Sequence, residues 1–319
     1  MDLHRYGPGL VAVFVGGTSG IGESTARAFA RYALSPCIYL IGRSKEQASK
    51  ITQKIREDNQ LADVRFLNKD VSCLRAVDEV CREIQASEKE VNLLFLSTGI
   101  SKGGEETQEG LDKKLSLHYY SRMRFIANLI PQLAAGSERL SRVVSVLGAG
   151  GESPLILEDL PLERNYSMRN CANHAITMTS LAMEVLARAH PSTSFIHTYP
   201  GVVNTNLTRD MGTVTHMGAK ALLSLACRWI VPFQESGQRH LYISTSKEYL
   251  PLSALPIPSP KHDGVDLGTA AAYLLDHRGF PRQNLKLLQE YHATGTSKKV
   301  WKHTVDMFAK VGGDKPEPK

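Results

Sequence analysis

The apolar run Leu10–Val15 ends in Gly16-Gly17-Thr18-Ser19-Gly20-Ile21-Gly22, and Glu23 to Arg31 then reads as a helix. A strand that stops at glycines and restarts as a helix makes a phosphate cradle. Glycine tolerates positive φ and lets backbone come close to a ligand. The first turn of the helix offers unpaired N–H groups and a partial positive charge to a pyrophosphate. The glycines alone carry little weight. The strand before them and the helix after them are the context such a motif requires.

The rest of the chain is built to match. Strand-like runs fall at Val11–Val15, Cys37–Ile41, Val64–Leu67, Leu93–Ser97, Arg142–Leu147, Ser194–Tyr199 and His240–Ser244. Helical patterns separate them at Gly22–Tyr32, Glu46–Asp58, Leu74–Ser87, Lys113–Ala135, Ala172–Ala189 and Met217–Ile230. That alternation predicts βαβ units and a doubly wound parallel sheet of about seven strands, with ligands at the carboxyl ends of the strands. With 319 residues, 42% of them hydrophobic, one large α/β domain can bury a good core. We place it at residues 8–250. Residues 251–319 form a C-terminal extension, a lid or contact segment. It opens with Pro251, Pro256, Pro258 and Pro260 and carries a strand or hairpin arm at Gly268–Leu275. Two helical patterns follow around Gly295, and Gly312 to Lys319 reads as frayed.

Composition excludes several classes. The net charge of +6 is dispersed, with no arginine patch interleaved with aromatics, so nucleic acid is not an expected partner. The five cysteines, Cys37, Cys73, Cys81, Cys171 and Cys227, are widely spaced and form no Cys-x-x-Cys or Cys/His set. They predict free thiols in a reducing compartment and no metal site. The N-terminus lacks an apolar secretory core, and no run approaches the ~18 apolar residues of a membrane span. A cytoplasmic protein is the expectation.

The second strand runs into Gly42-Arg43-Ser44-Lys45, with no acid before Glu46. At this place an acid selects the ribose hydroxyls of NAD and a base selects the 2′-phosphate of NADP. Arg43, whose fork suits phosphate, predicts NADP(H) as the cofactor.

These motifs, in this order, resemble the short-chain dehydrogenase/reductase family over about residues 8–250, and the resemblance implies a Rossmann-like fold. It implies an adenine contact at Asp70-Val71-Ser72. It places Ser97-Thr98-Gly99-Ile100 where the family has Asn-Asn-Ala-Gly, next to the nicotinamide half. It gives Pro200-Gly201-Val202-Val203-Asn204-Thr205 the loop that holds the nicotinamide carboxamide. The implied cofactor contacts are Gly16, Thr18, Ser19, Gly20, Ile21, Gly22, Arg43, Ser44, Asp70, Val71, Thr98, Gly99, Pro200, Gly201, Val203 and Thr205.

The catalytic positions depart from the family. Its chemistry uses a tyrosine, a lysine four residues on that lowers the phenol pKa and holds the ribose, a serine, and an asparagine on the fourth helix. Tyr166 has Asn170 as its partner. Registering on Ser180-Leu181-Ala182-Met183-Glu184 instead puts Ser167 and Cys171 at the tyrosine and lysine places. Gly148 or Leu147 stands at the serine place and His118 at the asparagine place. Tyr166, His118 and Asn170 are therefore the expected catalytic set, with His118 and His174 the only nearby groups of useful pKa, although a structural role outweighs a catalytic one for both histidines.

The chain also resembles divergent reductases of fungal secondary-metabolite clusters. That implies a reductase acting on a carbonyl, enone or imine of a bulky small molecule. Two alternatives stand beside it: a non-redox isomerase, dehydratase or cyclase with a structural cofactor, and a non-catalytic NADP-binding protein. The family often dimerises through the fourth and fifth helices, here Lys113–Ala135 and Ala172–Ala189. Met178, Leu181, Val185 and Leu186 give the second of these an apolar face, so a homodimer is one expected assembly.

Overall fold

A computed structural model describes residues 3–203, 230–255, 261–262, 265–266 and 272–312. Seven parallel strands form one sheet in the order β11-β6-β5-β4-β1-β2-β3. The strands are β1 (Val11–Val15), β2 (Cys37–Gly42), β3 (Asp63–Asn68), β4 (Leu93–Leu96), β5 (Arg142–Val146), β6 (Ser194–Thr198) and β11 (Tyr273–Leu275). Two-residue pairs lie outside this sheet: β7 (Val202–Val203) with β8 (Ile230–Val231), and β9 (Lys261–His262) with β10 (Val265–Asp266).

The central strands are buried on both faces, which is why they read as unbroken apolar runs. Alternate residues of β1 enter different cores. Ala12 and Phe14 pack with α1 (Gly20–Tyr32), α2 (Lys45–Asp58) and α7 (Phe233–Thr245). Val13 and Val15 pack on the opposite side, with α3 (Leu74–Ser87), α5 (Ser121–Ala135) and α6 (Met168–Ala189). Register at the centre is pinned by Asn92, which is fully buried. Its Oδ1 accepts from Val11 N at 2.8 Å and its Nδ2 donates to Leu140 O at 3.1 Å.

His240–Ser244 is not the expected seventh strand. It lies inside α7. Its buried residues Ser236, Gly237, His240, Leu241 and Ser244 recur at helical spacing, which a five-residue window conceals. Gly237 is where α7 meets α1, because a Cβ there would lie 2.5 Å from Ser24 O. Arg142, at the start of β5 and 2% exposed, donates to Ile243 O, Ser246 O and Tyr249 O, so it closes the carbonyl end of α7. The seventh strand is β11, within the stretch expected as a hairpin arm. It pairs Tyr273 with Ile196 and Leu275 with Thr198. Most of the expected helix Met217–Ile230 lies outside the described residues, as do residues 313–319.

The stretch expected as one helix, Lys113–Ala135, has three parts. They are α4 (Lys113–Leu115), a wide π-helical turn at Ser116–Tyr120, and α5. The extension closes over this face. After α8 (Leu285–Ala293), α9 (Thr296–Gly312) packs on α6 and α3. Tyr119 OH meets Thr304 Oγ1 at 2.5 Å, Tyr120 OH meets His303 Nε2 at 2.8 Å, and the Arg124 guanidinium lies 5.1 Å over the Phe308 ring. The helix therefore sits on the same elements expected to carry a dimer contact. Asn284, which caps α8, donates its backbone N–H to Glu152 Oε2 at 2.9 Å and ties the extension to the loop after β5.

Candidate active site

A cleft of about 260 Å³ crosses the carboxyl ends of β1, β2, β4 and β5. Its floor exists because three glycines have no side chain. A Cβ at Gly16 would lie 2.9 Å from Thr98 N, and Gly16 itself needs φ of 88°. A Cβ at Gly22 would lie 2.5 Å from both Gly16 O and Ser97 Oγ, so α1 starts in contact with the end of β4. A Cβ at Gly42 would collide with Thr18 Oγ1. The first turn of α1 thus opens directly onto the cleft, a geometry that fits a dinucleotide pyrophosphate.

At one end stand Arg43, Ser44, Gln47, Lys69, Asp70 and Val71. Ser44 caps α2 by accepting from Gln47 N at 3.2 Å. Asp70 Oδ1 accepts from Ser72 N at 3.1 Å. Arg43 reaches Asp70 at 3.8 Å, with both side chains nearly half exposed, so the pair is weak and the guanidinium is free to exchange partners. Lys69 Nζ is paired with Glu79 at 2.6 Å, so Arg43 and Ser44 are the groups here that suit a phosphate dianion.

At the other end Thr98, Gly99, Ile100, Leu117, His118, Arg122, Val146, Leu147 and Pro200 close the walls. His118 Nε2 accepts from Ile100 N at 3.2 Å, and Gly99 has no room for a Cβ because that ring nitrogen would be 2.9 Å away. Burial, helped by Arg122 and Lys114, holds His118 down to about 3. It is therefore a neutral imidazole at neutral pH, and its Nδ1 carries the proton.

Most of the expected nucleotide contacts come together here: Gly16, Thr18, Ser19, Gly20, Ile21, Arg43, Ser44, Asp70, Val71, Thr98, Gly99 and Pro200 line one cleft. Gly22 lies beneath it. Gly201, at φ 73°, backs onto His277 and Val231, and Val203 lies in β7. Thr205 lies outside the described residues. Lys69, Gln47, Leu117 and Arg122 join the cleft without having been anticipated from sequence.

The expected catalytic set does not assemble. Tyr166 and Asn170 are not among the residues lining the cleft. The reason is local. Ser167 caps α6, so Tyr166 precedes the helix, and its hydroxyl lies over Gly103 and 3.8 Å from Met168 Sδ. Burial and the neighbouring Cys171 and Asp112 raise its pKa above the ordinary value. The Asn170 side chain donates to Asn165 O at 2.8 Å and holds the loop before the helix. Cys171 is buried with Sγ 3.8 Å from Asp112 Oδ1. A Cβ at Gly148 would lie 2.6 Å from Ile176 Cδ1, so a side chain there requires the Ile176 side chain to shift. Leu147 presents hydrocarbon where a hydroxyl would be needed. His174 has a structural role, with Nε2 accepting from Ile156 N at 3.0 Å and Nδ1 donating to Leu160 O at 3.1 Å.

The buried histidines make stability depend on pH. Burial holds His118 and His197 at about 3 and His240 at about 4. In the unfolded chain each titrates near ~6.5. Between about pH 4 and 6.5 the unfolded chain binds more protons, so stability rises with pH and is lost as the solution is acidified through that window. Tm at pH 5 is expected several degrees below Tm at pH 7.5. A Tm flat across that range would contradict neutral burial.

Among the described residues no helix is long and apolar enough to cross a membrane, and no group of His, Cys, Asp or Glu could hold a metal. The sequence model of the short chain dehydrogenase family matches residues 10–214. An oxidoreductase of Emericella nidulans is 41% identical over 94% of this chain and 93% of its own length. A short-chain dehydrogenase/reductase of Stachybotrys chartarum is 28% identical over 94% of this chain and 92% of its own. Among solved structures, the NADPH-bound carbonyl reductase from chicken fatty liver superposes with a TM-score of 0.58 at 13% identity, over 86% of this chain and 99% of that one. The L-sorbose reductase of Gluconobacter frateurii, complexed with NADPH and L-sorbose, gives 0.56 at 20% identity, over 77% of this chain and 93% of that one. With its glycine cradle, its parallel sheet and these relatives, the chain belongs to the short-chain dehydrogenase family and is an oxidoreductase.

Proposed function

We propose that the protein is an NADP(H)-dependent reductase of a bulky secondary-metabolite-like small molecule, acting on an activated enone or iminium rather than a plain ketone. One observation carries this reading: the cleft combines a glycine phosphate cradle and a cationic end with a nicotinamide end where, among the described residues, no carboxyl, phenol or protonated imidazole lines the wall. Bound NADPH supplies hydride. The walls at Thr98, Leu147 and Pro200 confine the reacting carbon and keep water away from one face. An enone or iminium accepts hydride without a strong acid, because its charge is delocalised or already positive. The enolate formed from an enone then takes its proton from water, since His118 is neutral and its Nε2 is engaged by Ile100, whereas an iminium becomes a neutral amine and needs none. A plain ketone, which needs a proton at the developing alkoxide, finds no such acid among the described residues of the cleft.

The test is to follow NADPH absorbance and product mass together, with enone, iminium and ketone substrates. Stoichiometric NADPH loss with conjugate or imine reduction supports the reading. Product formed without NADPH loss sinks it and favours a non-redox enzyme. Tyr166→Phe is expected to keep kcat within about threefold, because the phenol lies off the cleft; a fall of ~100-fold or more would return the proton donor to Tyr166.

Cofactor choice has its own test. Arg43→Ala removes a charge-assisted contact to the 2′-phosphate and is expected to weaken NADPH binding by roughly 10–100-fold while changing NADH by less than about threefold. Equal losses measured by titration calorimetry would contradict NADP selection.

A further inference from the structure

Among the described residues, Arg122 is the one cationic side chain sunk into the nicotinamide end of the cleft. It is 1% exposed, yet it is part of the cleft wall. Its Nε donates to Leu117 O at 3.2 Å, and its Nη1 donates to Ser145 Oγ and Val146 O, both at 2.8 Å. One N–H of Nη2 donates to Thr98 O. A guanidinium has five N–H groups, so the second N–H of Nη2 has no partner among the described residues. The bonds straddle two strand ends, β4 through Thr98 and β5 through Ser145 and Val146. Leu147 and Pro200 stand in the same wall.

No acidic side chain among the described residues pairs with this cation. Burial lowers it only to about 9, so it stays charged at neutral pH. Burying a cation without a counter-charge is costly, and an apolar side chain of similar volume fills such a place more cheaply. Its cost is explained if a ligand with oxygen acceptors completes it. The helix carries the arrangement further. Lys114, His118 and Arg122 step along one face, and each holds a backbone atom of the segment after β4. Lys114 Nζ donates to Ser101 O at 3.0 Å, His118 accepts from Ile100 N, and Arg122 holds Thr98 O. The lysine that the family uses on α6 is absent at both registers, as Asn170 and as Cys171.

We propose that Arg122 supplies from α5 the charge missing from α6: its remaining N–H holds the nicotinamide ribose, and its fixed positive charge disfavours the cationic oxidised ring, so the cleft prefers NADPH to NADP⁺. This rests on the NADP(H) reading above. The preference is a matter of sign. Oxidised nicotinamide carries a positive charge and the reduced ring is neutral, so a desolvated guanidinium nearby separates the two. The bias runs toward reduction of substrate.

The experiment titrates the purified full chain and its Arg122→Gln variant with NADPH, NADP⁺ and adenosine 2′,5′-bisphosphate, the last reaching only the Arg43 end. The wild type is expected to bind NADPH about tenfold or more tighter than NADP⁺. The variant should lose roughly 10–100-fold for NADPH, lose the preference, and keep adenosine 2′,5′-bisphosphate within about twofold. Equal losses for all three ligands would show a merely structural arginine and overturn the proposal, as would an unchanged preference. Should the variant fail to fold, a structure of the wild type with NADP(H) decides. Nη2 within about 3.5 Å of a ribose oxygen supports the proposal, and separation beyond that overturns it. A wild type that binds NADPH and NADP⁺ with equal affinity overturns this inference alone. One that binds none of the three overturns the NADP(H) reading as well.

Discussion

A Gly22→Ala chain is expected to lose NADPH affinity by about 100-fold or more, the largest effect of any single methyl group in the molecule. The new Cβ would stand 2.5 Å from Gly16 O and from Ser97 Oγ. Ser97 Oγ can rotate away; the Gly16 carbonyl cannot, because it belongs to the turn itself. Either α1 slides outward or the turn opens. Both move the free N–H groups of the first helical turn away from the phosphates they must meet, and these contacts depend on sub-ångström placement. Overpacking costs about 1–3 kcal/mol of stability as well, which leaves a folded protein. Circular dichroism should therefore remain native while calorimetric titration falls flat. Binding within about threefold of wild type would remove the cradle from the account.

Arg142→Leu is expected to be the most destabilising of the arginine replacements, at about 3–5 kcal/mol. The side chain is 2% exposed and donates to Ile243 O, Ser246 O and Tyr249 O, the last of which also accepts from Ser194 Oγ. Leucine fills much of the volume and offers no hydrogen, so Ile243 O and Ser246 O at the end of α7 lose this donor in a buried place, and Tyr249 O is left with Ser194 Oγ at 2.9 Å. Arg31→Ala is the control. Arg31 pairs with Asp58 at 2.8 Å, but at 52% exposure its salt bridge is worth less than about 1 kcal/mol. Chemical denaturation of the two variants should differ severalfold in lost stability, and equal losses would mean that the buried carbonyls find other donors.

The two ends of the cleft differ in how far sequence reveals them. The cradle is written in a few adjacent residues, since a strand, glycines and a helix start are all local. Arg43 is legible for the same reason, because it directly follows a strand. Arg122 is not. A single arginine in an amphipathic helix reads as a solvated residue, and only the four-residue steps from Lys114 through His118 hint otherwise. For Tyr166 a motif gives its position and not its direction, which the Ser167 cap decides. In the fold, β1, β2 and β4 are apolar runs that no other element explains as well. The misread His240–Ser244 is apolar too, but its length is that of a strand by accident of where the buried residues of α7 bunch. β11 is three residues long and takes its place in the sheet from its pairing with β6, a contact at long range in sequence.

The seat of α9 has a consequence for how the molecule is made. Tyr119 and Tyr120 hydrogen-bond Thr304 and His303, and the loop after β5 is tied to Asn284. A ribosome has already delivered all seven strands of the sheet when those partners emerge. Until then the nascent chain carries a band of aromatic and aliphatic surface on α5 and α6, the kind of patch that chaperones hold and that neighbouring chains stick to. A premature stop near residue 283 would spare every residue described in the nucleotide cleft and still leave a product prone to clump. Loss of solubility, ahead of any loss of cofactor contacts, is how such a lesion would announce itself in a cell.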